Sequence, residues 1–198
     1  FNGMWAFAIH DSRDNSLFIS RDRFGEKPLY YFLNHNYFIF SSEKKAITKS
    51  HFYDGNLDLK AVTTAQKNPF ILESSGFTEF ENIKNLLPGH NIHFKKNKIK
   101  ISRWWKIKSE SFSDNYSEDE LISRFSELLL DSCNLRLRSD VPISATLSGG
   151  LDSSAIVSNL NLLTKNNVIY SHRFKDSFLD EFDYAKSVAD HLDKKIKI

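Results

Sequence analysis

The sequence has 198 residues, 40% hydrophobic and 26% charged, with 17 phenylalanines, enough apolar material for one or two packed cores. A formal net charge of +2 lacks the strong basic field that nucleic acid or an anionic membrane surface requires, so neither is an expected partner. No apolar run approaches bilayer-spanning length, and the lone Cys133 cannot form an internal disulfide, which fits a reducing cytoplasm as the expected location.

Residues 3–41 predict β-structure. Trp5, Phe7 and Ile9 alternate with Met4, Ala6, Ala8 and His10, nearly all small or apolar, so this strand is expected to be covered on both faces. A turn over 11–15 leads into Leu17-Phe18-Ile19. The runs 28–32 and 37–40 predict a hairpin around Asn34-His35-Asn36. Short helices are predicted over 43–48 and 58–66. A further hairpin is expected over 91–103, turning at Asn97, with Lys95, Lys96 and Lys98 at its tip. The polar stretch 106–115 reads as a linker.

Beyond it, Ser117-Glu118-Asp119-Glu120 is a capping box. The helix it opens carries Leu121, Phe125, Leu128 and Ser132 on one stripe, with Ile122, Leu129 and Cys133 beside it. That stripe is the expected buried face, and Cys133 is read as core. A strand over 141–147, a helix over 153–164, a strand over 168–170 and a helix capped by Asp180 follow, with a last strand starting at Lys194-Lys195. Strands alternating with helices imply a parallel sheet, whose ligands bind at the carboxyl ends of the strands.

One such end holds Ser148-Gly149-Gly150-Leu151-Asp152-Ser153-Ser154. A strand that turns through two glycines into a helix start is suited to an anion. The glycines allow close backbone approach, and the helix start offers free N–H groups and a positive dipole end. The loop is not a P-loop, since no Lys-Ser or Lys-Thr closes it, and no Rossmann G-x-G-x-x-G is present. Asp152, Ser153 and Ser154 are also good helix-capping types, but a cap alone does not need two preceding glycines. The motif resembles the pyrophosphate-binding loop (PP-loop) of ATP pyrophosphatases.

The resemblance widens along the chain. Gly3-Met4-Trp5-Ala6-Phe7-Ala8-Ile9, Arg21-Asp22-Arg23-Phe24-Gly25-Glu26-Lys27-Pro28-Leu29-Tyr30-Tyr31, Phe40-Ser41-Ser42-Glu43-Lys44-Lys45-Ala46, Leu87-Pro88-Gly89-His90 and Ser139-Asp140-Val141-Pro142 occur in order before the loop. Together they resemble the glutamine-hydrolysing asparagine synthetase family over nearly the whole chain. The resemblance implies an α+β region followed by an α/β region. The first is part of a glutaminase sandwich of the N-terminal-nucleophile hydrolase fold, over 1–104. After a linker at 105–116, residues 117–198 are the front of a PP-loop ATP-pyrophosphatase domain with a parallel sheet. The implied reaction amidates aspartate through an acyl-adenylate, with ammonia taken from glutamine, and yields asparagine, AMP, pyrophosphate and glutamate. ATP and Mg²⁺ are the implied cofactors. Aspartate, glutamine and ATP are the implied small-molecule partners, with a homodimer left open.

Residue by residue, the resemblance assigns Ser148, Gly149, Gly150, Asp152, Ser153 and Ser154 to pyrophosphate, with Asp152 also on the metal. Thr146 and Leu147 line the nucleotide, and the backbone of His172 meets adenine. Arg173 stands where the family carries glycine at the edge of that pocket. The family's nucleophile is a cysteine that begins the mature chain. This sequence begins with Phe1, so no glutaminase catalytic residue is assignable. The Arg21-to-Gly25 turn is read as structural. Neither end of the sequence has the polar look of a natural terminus, which predicts a fragment of a longer protein. Two rivals remain open: a relative amidating another carboxylate, as in β-lactam synthetases or surface-polysaccharide pathways, and a degenerate, non-catalytic homologue.

Overall fold

Antiparallel pairing organises the first part of the molecule and parallel pairing the second. The computed structural model describes residues 1–68, 70–108, 116–164, 167–175 and 177–198. The chain divides into two compact units, Phe1–Glu110 and Ser111–Ile198. The expected linker at 105–116 falls largely on 109–115, which lie outside the described residues.

Unit 1 holds β1 (Ala6–Asp11), β2 (Ser16–Arg21), β3 (Tyr30–Leu33), β4 (Phe38–Ser41), α1 (Lys44–Thr48), α2 (Leu59–Lys67), α3 (Ile71–Ser75), β5 (Ile83–Asn85), β6 (His90–Lys95) and β7 (Lys98–Arg103). Its antiparallel sheets have the orders β1-β2-β6-β7 and β4-β3-β5. Buried Ile19 on β2 pairs with buried Ile92 on β6, and both join Leu29, Tyr31 and Leu86 in one apolar cluster that links the two sheets. Phe32, Ile47 and Ile83 form a second cluster beneath α1. The hairpin at Asn97 forms as expected, because Lys96 and Asn97 both adopt the left-handed conformation that a two-residue turn requires.

Two expectations for unit 1 need correction. The first strand is not covered on both faces: β1 is an edge strand, and Ile9 is 56% exposed. Its apolar composition reads as full burial, but edge position is a property of the assembled sheet. The sequence also gave no signal for α3 or β5. Each is too short to show a period, and β5 exists by pairing with β3.

Unit 2 holds α4 (Glu118–Arg136), β8 (Ser144–Thr146), α5 (Leu151–Leu163), β9 (Val168–Tyr170), α6 (Phe182–His191) and β10 (Ile196–Lys197). The three strands form a parallel sheet of order β10-β9-β8. Its core is Leu147, Val157, Ile169, Ala185 and Ala189. The capping box is present: the Ser117 hydroxyl accepts from the Glu120 N–H, and the Glu120 carboxylate accepts from the Ser117 N–H at 2.7 Å. The predicted stripe on α4 has the right period but is not buried along its length. Leu121, Ile122, Phe125 and Leu128 are exposed, whereas Cys133, towards the other end, is 6% exposed. β8 is shorter than 141–147, since Pro142 has no N–H for a ladder. Asp180 precedes the N-cap, Glu181, of α6 rather than occupying it, yet its Oδ1 still accepts from the Phe182 N–H. Among the described residues no helix is long and apolar enough to cross a membrane.

Candidate functional site

The Ser148–Ser154 segment lies where parallel-sheet geometry places ligands. β8 ends at Thr146, and the Leu147 N–H extends the ladder by donating to the Tyr170 carbonyl at 2.8 Å. The chain then reverses through Gly149, at φ +87°, a conformation that an L side chain rarely adopts. Space imposes the same choice. A Cβ at Gly149 would sit 2.4 Å from the Ala185 nitrogen and 2.5 Å from the Tyr184 Cβ, so the start of α6 presses directly on the turn. Gly150 is the N-cap of α5, and among the described residues no side chain caps that helix start. The first amides of α5 therefore keep their donor capacity, and the helix dipole adds positive potential there.

Serine hydroxyls hold the loop in shape. The Ser148 and Ser153 hydroxyls share a hydrogen bond at 3.0 Å, and the Ser148 and Gly150 amides each donate to a serine oxygen at 3.3 Å. Ser154 Oγ is buried and has no hydrogen-bond partner among the described residues. An orphaned hydroxyl in the first turn of an uncapped helix fits an oxyanion that satisfies it on binding.

A cleft of about 420 Å³ opens beside the turn. Of the residues singled out in the sequence, Thr146, Leu147, Ser148, Ser153 and His172 line it. Leu147 has its side chain in the core, 1% exposed, so its polar contribution is backbone. Its carbonyl already accepts from the Ser171 hydroxyl at 2.7 Å. The His172 ring meets Phe174 edge-on at 4.3 Å. Tyr170, Ser171, Phe174, Leu179 and Glu181 complete the lining and were not foreseen. Most of them follow β9, so the carboxyl-end rule applied to that strand was the signal available.

Asp152 stands apart from the cleft-lining set. It is exposed on the first turn of α5 and lines a different hollow of about 520 Å³ with Arg136, Cys133 and Ile156. Among the described residues no cluster of three or more His, Cys, Asp or Glu side chains forms a metal cage. A single carboxylate beside a turn suited to phosphate is a donor set Mg²⁺ accepts, since that ion takes one or two protein carboxylates and completes its shell with phosphate and water. Cys133 is no candidate nucleophile. Burial pushes its thiol pKa up, and nearby Arg136 opposes that only in part.

In unit 1 the Arg21-to-Gly25 turn is fully engaged. Asp22 is 1% exposed and accepts from the Trp5, Phe24, Glu26 and Lys27 amides. Burial alone would raise its pKa, but those amides outweigh it and hold the carboxyl below its usual range. The Arg21 guanidinium donates to the carbonyls of Gly25, Lys27 and Leu86 and to the Asn85 side chain.

A left-handed glycine turn from a parallel strand into a helix start, beside a cleft at the strand ends, defines unit 2 as an α/β unit whose strand-end turn has the geometry that suits an anion. Comparison with known proteins narrows the class. Residues 1–105 match the glutamine amidotransferase domain model, and residues 124–196 match the asparagine synthase model. The chain is 37% identical to a putative glutamine-hydrolysing asparagine synthetase 2 of Methanocaldococcus jannaschii, over 97% of its own length and 38% of that protein. It is 39% identical to the glutamine-hydrolysing asparagine synthetase 3 of Bacillus subtilis, over 78% of its length and 25% of that protein. Amidase chry2 of Gibberella zeae is 30% identical over 96% of this chain and 30% of its own. The chain therefore spans well under half the length of these relatives. It belongs to the glutamine-hydrolysing asparagine synthetase family.

Proposed function

We propose that the protein containing this chain makes asparagine from aspartate, using ATP and glutamine-derived ammonia. On this reading unit 1 is the later part of a glutaminase domain of N-terminal-nucleophile hydrolase type. Unit 2 is the front of a PP-loop ATP-pyrophosphatase domain. The matches at 1–105 and 124–196 support that division.

The chemistry has a physical rationale. A carboxylate resists ammonia because its charge repels nucleophiles and oxide is a poor leaving group. Attack by the aspartate side-chain carboxylate on the α-phosphorus of ATP breaks the α–β bridge and forms an acyl-adenylate with release of pyrophosphate. Ammonia then takes the acyl carbon, AMP leaves, and a proton is lost from nitrogen. Ammonia made at a separate glutaminase site and kept inside the protein meets the intermediate before water does.

The observation that carries this reading is the Gly149 turn leading into the start of α5, whose first turn carries the buried, unpartnered Ser154 hydroxyl. The Ser148–Ser154 amides and hydroxyls receive the β,γ-pyrophosphate, whose charge grows as the bond breaks. Thr146, the Leu147 backbone and His172 border the nucleoside in the adjoining cleft. Asp152 would hold Mg²⁺, which would supply charge neutralisation for the phosphates. The test is product analysis on the full-length protein: aspartate, ATP and Mg²⁺ together yield pyrophosphate and AMP. ADP and phosphate as products sink the reading.

A second reading concerns the acceptor. The 30% identity to proteins named amidases in Gibberella zeae and Penicillium rubens favours testing other carboxylic acids in the same assay.

A further inference from the structure

The segment between β9 and α6 forms one wall of the cleft through His172, Phe174, Leu179 and Glu181. A single carboxylate gathers this segment. Asp180 Oδ1 accepts from the amides of Phe174 and Phe182, at its two ends, each at 3.3 Å. The other oxygen, Oδ2, meets Arg173 Nε at 3.3 Å. The same guanidinium lies over the Phe182 ring, 4.8 Å from its centroid, and Phe182 is 9% exposed at the start of α6. Arg173 is thus held on Asp180 and Phe182 and is not among the residues lining the cleft. Its backbone is outside the left-handed region, so the position accepts a side chain without strain.

We propose that Arg173 is a positioning residue for the nucleoside end of ATP, acting through Asp180 and Phe182 to hold Phe174, Leu179 and Glu181 as a preformed wall. The proposal rests on the reading that the cleft takes ATP. Asp180 has a side chain only 17% exposed and two backbone donors on one oxygen; the guanidinium neutralises the second oxygen and ties it to the ring below. Remove that tie and the segment must be ordered by the nucleotide itself, which weakens binding without touching the reacting phosphorus.

The test is steady-state kinetics of the full-length protein. In Arg173→Ala the KM for ATP rises about 3- to 10-fold with kcat within about twofold, the scale of one partly exposed ion pair plus one cation–π contact. Inhibition by pyrophosphate, which reaches only the Ser148–Ser154 turn, stays at the wild-type value. In the Asp180→Ala background, Arg173→Ala raises the KM for ATP by less than it does in wild type, because the two variants share the Arg173–Asp180 contact and only the Phe182 contact remains to be lost. An unchanged KM, additive losses, or an equal shift for ATP and pyrophosphate overturns the proposal. Wild-type protein that releases no pyrophosphate overturns the parent reading as well, so the two failures are distinct.

Discussion

Two aspartate-bearing turns, one in each unit, divide the labour of the chain. Each is shaped by a left-handed glycine, Gly25 at φ +68° and Gly149 at φ +87°. In the first, buried Asp22 fills the turn and its carboxylate takes the amides of Phe24, Glu26 and Lys27. In the second, Asp152 is exposed, and among the described residues no side chain caps α5 and the buried Ser154 hydroxyl lacks a partner. A turn whose donors are already satisfied is a joint. A turn that keeps its donors available is a receptor, and hydrogen-bond accounting separates the two where composition does not.

The contrast breaks most visibly at the glycines. Gly149→Ala drives a Cβ into the Tyr184–Ala185 backbone and is expected to lower ATP-dependent pyrophosphate release by at least about 100-fold. Gly25→Ala meets Pro88 and the Arg21 side chain instead, so its effect is a lower Tm with that release intact. If Gly149→Ala retains activity, the turn does not hold the phosphates.

The aspartates come next. Asp152→Ala is expected to cost about 100- to 1,000-fold in synthetase rate while Tm and glutaminase activity stay unchanged. Asp22→Ala strands its amide donors and is expected to cost about 3 kcal/mol of unit 1 stability in denaturant melts, with nucleotide chemistry spared. Exchanged phenotypes would reverse the assignment of joint and receptor.

Acid provides a milder probe. The folded-state pKa of Asp22 is lowered, so its stabilising contribution is complete above the unfolded value of about 3.9 and lost as pH falls through the lower folded value. Melts of wild type and Asp22→Asn should therefore differ at neutral pH and converge in acid below about pH 4. A constant gap across that range would contradict the amide-held carboxylate.

The smallest effect is expected at Ser154. Removing an unpartnered buried hydroxyl in Ser154→Ala should leave Tm unchanged or raise stability by about 0.5–1 kcal/mol. Inhibition by pyrophosphate should weaken a few-fold in the same variant. A clear drop in Tm would mean that the hydroxyl already has a structural role.

Much of this was legible in the sequence, for local reasons. The Ser117–Glu120 capping box, the Asn97 turn and the strand-turn-helix around Gly149 each depend on neighbours within one turn, so residue type alone predicts them. The errors share another cause. Burial of Ile9 or Phe125 depends on what the rest of the molecule lays over that face, and β5 depends on β3 being present to pair with. The site divides in the same way. Thr146, Ser148, Ser153 and His172 were recognisable by motif, whereas Leu179 and Glu181 join the cleft through the fold of their segment, in which Asp180 takes the Phe174 and Phe182 amides.

The sequence by itself determined that unit 2 carries a glycine turn from a strand into a helix start and that the chain follows the asparagine synthetase pattern. Glycine pairs, caps and strand–helix alternation encode local backbone conformation, and local conformation is what residue type controls most directly. Only the tertiary structure decided why Gly149 must be glycine, that Asp152 lines a different hollow from the cleft beside the turn, and that Arg173 reaches Asp180 and Phe182. Those outcomes depend on where α6 meets the sheet, a packing arrangement set by burial across the whole unit rather than by any one segment.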